Sequence, residues 1–158
     1  MSIESEYLSL TAEELDEIIS DINKLKPAIT KQRNDQDRLF TQCCEELHIL
    51  LTGDVPPMEK LAQAMLSSTL ANAVAGGNLI DGSEEIDGPF LGRVRYLTAA
   101  EVKEAMRELD TLTFEELAEQ NAVEGIDEED LAEEFAAFKN FYSHAASGDR
   151  AVLSFFTD

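Results

Sequence analysis

His48 is the side chain of this sequence best suited to moving a proton, with Glu45 one turn before it and Thr52 one turn after it on a helical reading. A neutral imidazole oriented by a carboxylate is a candidate general base. The plainer reading is a histidine at the border of the core, its ring nitrogens bonded to backbone or to Thr52 so that they fix the turn that follows. Cys44 and His48 stand four residues apart, a spacing that helical zinc sites use. Only His144 and carboxylates remain to complete such a shell, so neither a metal nor a cofactor is expected. Cys44 as a nucleophile activated by His48 requires a cleft and a lowered thiol pKa. An acidic chain with no cationic patch nearby favours a buried thiol instead.

Arg93, Arg95 and Tyr96 form the second constellation. In a strand, Arg93 and Arg95 point the same way and can hold a carboxylate bidentately; the alternative is pairing with the chain's own acids. A candidate pocket for a small molecule or a hydrolytic reaction therefore comprises His48, Thr52, Arg95, Tyr96 and Tyr142. The run from Asp81 to Gly88 is a poor calcium loop, since Ile86 and Gly92 stand where the sixth-position glycine and twelfth-position glutamate belong. Gly76-Gly77 lacks the strand-turn-helix setting of a phosphate cradle.

Charge narrows the partners. With 12 basic and 33 acidic residues the net charge is −21, which repels phosphate backbones and anionic lipid, so neither nucleic acid nor membrane is an expected ligand. A basic protein partner is compatible. The acids concentrate late in the chain, and Glu128, Glu129, Glu133 and Glu134 are the candidate partner surface. Solubility alone also explains such a surface. The leading expectation is a non-enzymatic protein-binding module, with a basic toxin or nuclease as one class of target to neutralise, and the small-molecule pocket is the alternative. No apolar run approaches the roughly 20 residues needed to cross a bilayer. The acidic N-terminus lacks the features of a signal peptide, and a cytoplasmic location is expected.

The elements that must position these groups are legible from caps and periodicity. Residues 3–10 read as a strand, and Thr11 with Glu14 forms a capping box that opens a helix to about Lys24, burying Leu15, Ile18, Ile19 and Ile22 and closed by Pro27. The stretch from Asp37 to Gly53 reads as a central amphipathic helix with Phe40, Cys43, Cys44, Leu47 and Leu51 on one face. Adjacent cysteines on a helix diverge by about 100°, which disfavours a disulfide between them. A helix is expected from Pro57 to Val74, a surface loop over residues 78–92, and a strand over 93–97. A second capping box at Thr98 and Glu101 opens a helix burying Val102, Ala105, Met106 and Leu109. A short helix follows from Thr113. The longest helix, 128–146, carries Leu131, Phe135, Phe138, Tyr142 and Ala145 on one stripe, with Gly148 as its cap, and residues 151–156 form a terminal strand. This order predicts one α+β domain over residues 1–158, a small mixed sheet of a few strands with about five to six packed helices.

Leu47-His-Ile-Leu-Leu-Thr-Gly53 resembles the helix end of the YfbM-like family of bacterial proteins, a domain of unknown function (number 1877). Ala73-Val-Ala-Gly-Gly77, Arg95-Tyr-Leu-Thr98 with Val102, and Phe141-Tyr142, Ala145-Ala146 and Gly148-Asp149 resemble later parts of the same family in order. This chain departs from the pattern in two places: no tryptophan precedes the histidine, and Gly125-Ile-Asp-Glu-Glu replaces a Tyr-Pro segment. The resemblance implies an α+β domain and no defined activity.

Overall fold

The computed structural model describes residues 4–55, 66, 68–88 and 91–157. Five strands, β1 (Glu4–Leu10), β2 (Arg38–Thr41), β3 (Asn78–Leu79), β4 (Leu91–Leu97) and β5 (Ala151–Thr157), form one sheet in the order β2-β1-β5-β4-β3. Every pairing is antiparallel, and β1 and β5 lie side by side at its centre with Glu4 opposite Thr157 and Leu10 opposite Ala151. The helices among the described residues are α1 (Ala12–Ser20), α2 (Leu25–Thr30), α3 (Cys44–Thr52), α4 (Thr69–Ala75), α5 (Ala99–Leu109), α6 (Phe114–Gln120) and α7 (Glu128–Ser147).

The terminal strand reads Ala-Val-Leu-Ser-Phe-Phe without polar alternation because both faces of the sheet are covered. Val152 and Phe156 face a core built by α3 to α7, while Ala151, Leu153 and Phe155 face a smaller core closed by α1 and α2. β1 divides in the same way, Tyr7 to the larger core and Leu8 and Leu10 to the smaller. The result is an α+β fold with helices on both sides of the sheet.

Both capping boxes form. Glu14 N–H donates to Thr11 Oγ1 at 3.1 Å and Thr11 N–H to the Glu14 carboxylate at 3.2 Å. Thr98 N–H likewise meets Glu101 at 2.9 Å, and Glu101 N–H returns to Thr98 at 3.2 Å. The expected buried stripes of α5 and α7 are also observed. At the far end of α7, Gly148 keeps a negative φ and Asp149 takes the left-handed conformation at φ 56°.

Several boundaries differ from the sequence reading. The central helix begins at Cys44 and not at Asp37, because residues 38–41 instead pair with β1 as an edge strand, Thr41 opposite Ser5 and Arg38 opposite Leu8. Phe40, expected in the core, is 48% exposed. The predicted end of α3 does form, with Gly53 at φ 81°, where a side chain would be strained. α1 stops at Ser20, a 3₁₀ turn over Ile22–Lys24 follows, and Pro27 lies in the first turn of α2, where its missing N–H has no helical acceptor to lose. Ile19, expected in the core, is exposed. Of the helix expected from Pro57 to Val74, residues 56–65 and 67 lie outside the described residues. Ser68 is extended and is the N-cap of α4, its Oγ accepting from Ala71 N–H at 3.1 Å, so α4 begins at Thr69. The expected loop 78–92 contains β3 and a buried Ser83 that accepts from Val94 N–H at 2.9 Å.

Candidate functional site

α4 is short, and its last carbonyls point into the larger core where no water can solvate them. The first is met by the backbone of its own C-cap, and the next three each by a long side chain from a different element. Asn72 C=O accepts from Gly76 N–H at 3.2 Å, Ala73 C=O accepts from Tyr142 Oη at 2.7 Å, Val74 C=O accepts from Tyr7 Oη, and Ala75 C=O accepts from Arg95 Nη1. Cys44 Sγ, 3.8 Å from Val74 O, completes the group. Strand β1, strand β4, α3 and α7 thus converge on one helix end.

The Arg95 guanidinium is 1% exposed and lies 4.2 Å from the centroid of the Phe156 ring. A cation over an aromatic face and at the negative end of a helix is favourably placed. Burial lowers the Arg95 pKa, while nearby Tyr7, Cys44 and Tyr142 oppose that shift. Burial pushes both tyrosine hydroxyls up, Tyr7 well above its ordinary value, so both remain neutral donors. Burial raises the Cys44 thiol as well, and lifts Cys43 to about 11, helped by Glu134 and Glu46. These shifts oppose the lowered thiol pKa that a nucleophile needs.

His48 is 3% exposed. Its Nδ1 lies 2.6 Å from Asp54 C=O, which can only accept, so Nδ1 carries the proton. Thr52 Oγ1 donates to His48 C=O at 2.7 Å and lies 3.2 Å from Nδ1. Nδ1 thereby ties the ring to the turn after α3, while Nε2 is buried without a partner among the described residues. Cys44 and His48 use different partners, and the described residues contain no group of three or more His, Cys, Asp or Glu side chains arranged to hold a metal.

Of the five residues grouped as a pocket, the structure brings Arg95 and Tyr142 to one helix end and sets Tyr96 apart. Tyr96 packs with Leu8, Val94 and Leu153 on the α1/α2 side of the sheet, the opposite face from Arg95, as adjacent strand residues must be. Arg93 does not join Arg95 either: it pairs with Glu84 at 3.3 Å at the surface. Of the acidic four, Glu128, Glu129 and Glu133 are exposed, whereas Glu134 is half-buried and accepts from Thr41 Oγ1 at 2.8 Å.

A cluster the sequence reading missed lies further along the face of β1 that carries Tyr7, since Ser9 is two residues on. Asp37 Oδ1 accepts from Ser9 Oγ at 2.8 Å and lies 3.2 Å from His144 Nε2 and 3.7 Å from Arg150 Nε. Arg150 also donates to Ser9 C=O at 3.0 Å. The only sequence signal was the scarcity of basic residues, two of which, Lys31 and Arg33, fall nearby.

An antiparallel sheet covered by helices on both faces, with an interior helix end held by tyrosine and arginine donors, defines a small α+β domain. The sequence profile of a family described as a domain of unknown function (DUF1877) matches residues 1–155, and the chain belongs to that family. Its fold is similar to that of the crystal structure of YfbM, a protein of unknown function from Escherichia coli, with a TM-score of 0.63 and 16% identity over 98% of this chain and 99% of the other. A comparison with curated proteins returned no relative. No described helix is long and apolar enough to cross a membrane.

Proposed function

We propose that this domain binds a basic protein through the acidic surface that begins at the N-terminal half of α7. The observation that supports this reading is an unneutralised field. From Glu108 to Phe138 the chain holds 12 acids (Glu108, Asp110, Glu115, Glu116, Glu119, Glu124, Asp127, Glu128, Glu129, Asp130, Glu133 and Glu134) and no lysine or arginine. The ion pairs among the described residues all involve other acids: Glu6, Glu14, Asp37, Glu84 and Asp149. Acids held together without counter-charge raise a negative potential that speeds encounter with a basic partner. A basic toxin or nuclease is one target class that such a surface suits.

The test is a parallel capture from host lysate with wild type and the variant E128K/E129K/E133K as bait. Glu134 is left intact because it ties α7 to Thr41. Wild type is expected to retain a basic protein that salt releases and that the triple variant fails to hold. Equal recovery on both baits, or retention that salt does not weaken, overturns the proposal.

A further inference from the structure

Around the Asp37 cluster the surface sinks into a concavity of about 480 Å³, lined by Lys31, Arg33 and Arg150 on one hand and Glu14 and Asp37 on the other. The concavity gathers three of the chain's 12 basic residues. Its formal balance is +3 − 2 = +1 against −21 for the whole chain. Such a local inversion is not what a solubilising surface requires. The groups also come from separate parts of the sequence: Glu14 from α1, Lys31 and Arg33 from the segment after α2, Asp37 from the turn before β2, and Arg150 from the turn before β5.

Arg150 already donates to Ser9 Oγ at 3.1 Å and to Ser9 C=O at 3.0 Å, but the other two cations are incompletely used. Arg33, whose side chain is 4% exposed, donates from Nη2 to Glu14 at 3.2 Å and to Ala28 C=O at 2.9 Å, but its buried Nε–H has no partner among the described residues. Lys31 is 61% exposed and reaches Glu14 only at 3.9 Å. A buried guanidinium with an idle donor beside a loosely held ammonium is set up for an incoming carboxylate.

We propose that this concavity binds a small zwitterion of the α-amino acid type, independently of the acidic surface. Lys31, Arg33 and Arg150 face its carboxylate, and Glu14 and Asp37 face its ammonium group. A polyanion fits less well, because two carboxylates line the same wall and the field of the whole chain repels net negative charge. A neutral zwitterion escapes that long-range repulsion and still finds both signs locally. The volume lies within the range of small-molecule sites.

The experiment follows backbone amide resonances of the full chain while glycine, L-glutamine, L-lysine and L-phenylalanine are added separately, with acetate, methylammonium and inorganic phosphate as comparisons. At least one amino acid is expected to produce saturable shifts at Gln32, Arg33 and Asn34 that acetate and methylammonium do not reproduce. K31Q, at an exposed side chain, should weaken that binding about tenfold, and R107Q, on the exposed face of α5, should leave it unchanged. The proposal is overturned if no amino acid saturates, if phosphate or acetate binds as tightly, or if K31Q binds as wild type does.

Discussion

The Arg95 guanidinium donates to Ala75 C=O from one side while the Phe156 ring lies 4.2 Å from it on another. A cation with no carboxylate partner among the described residues is thus stabilised by a helix end and an aromatic face. The R95A variant loses the donor, the cation at the helix terminus and much packed volume. We expect it to be destabilised by about 3 kcal/mol, with R95M intermediate because the methionine refills the space but leaves the Ala75 carbonyl unpaired. Urea unfolding of the three proteins checks this. An R95M variant as unstable as R95A would show that volume is not part of the effect.

Tyr142 and Tyr7 perform related tasks on Ala73 and Val74. Replacing either by phenylalanine keeps the ring contacts with Phe138 and removes only the hydroxyl. Each variant should lose about 1–2 kcal/mol, the cost of a buried carbonyl left unsatisfied. The double variant should show whether the two act as a unit, since both serve the same helix end.

Glu14 supplies a pH test. Burial alone raises its pKa, but hydrogen bonds from Thr11 and Arg33 and the charges of Arg33 and Lys31 outweigh it, so the folded value lies below the ordinary 4.5. A depressed carboxylate pKa contributes stability that is present above the unfolded pKa and is lost as pH falls through the folded one. E14Q, which keeps the capping box, should therefore melt below wild type at neutral pH. The gap should close in acid, below the ordinary carboxylate range. A gap that stays constant from neutral to acid pH counts against this account.

Cys43, half-buried and with its thiol raised to about 11, should be slow to alkylate. Iodoacetamide modification should accelerate about tenfold per pH unit through the mildly alkaline range, because only the thiolate reacts. A plateau already at neutral pH would contradict the raised value.

Substituting His48 by alanine tests its place in the turn. It removes the bond to Asp54 C=O and a buried ring, and should cost about 2 kcal/mol. Binding of a basic partner by the exposed acids of α7 should persist in any fraction that stays folded. Circular dichroism melts and the capture described above separate the two effects.

What the sequence by itself determined is local. Thr11 with Glu14 and Thr98 with Glu101 start their helices because a cap needs only three residues of context. The α5 and α7 stripes and the terminal strand followed from periodicity, and the α+β class followed from their order. The short spacing from His48 to Thr52 made their proximity readable too, though not the bond from Nδ1 to Asp54 C=O.

The tertiary structure alone decided where Arg38 to Thr41 went. Their apolar spacing suits a helix, yet the unpaired edge of β1 offers a row of backbone groups that a strand satisfies. It also decided the fate of Arg95, whose surroundings come from residues 7, 44, 75, 142 and 156, and it assembled Asp37, His144 and Arg150. Contacts across a hundred residues depend on the strand order β2-β1-β5. No period or cap in the local sequence encodes that order.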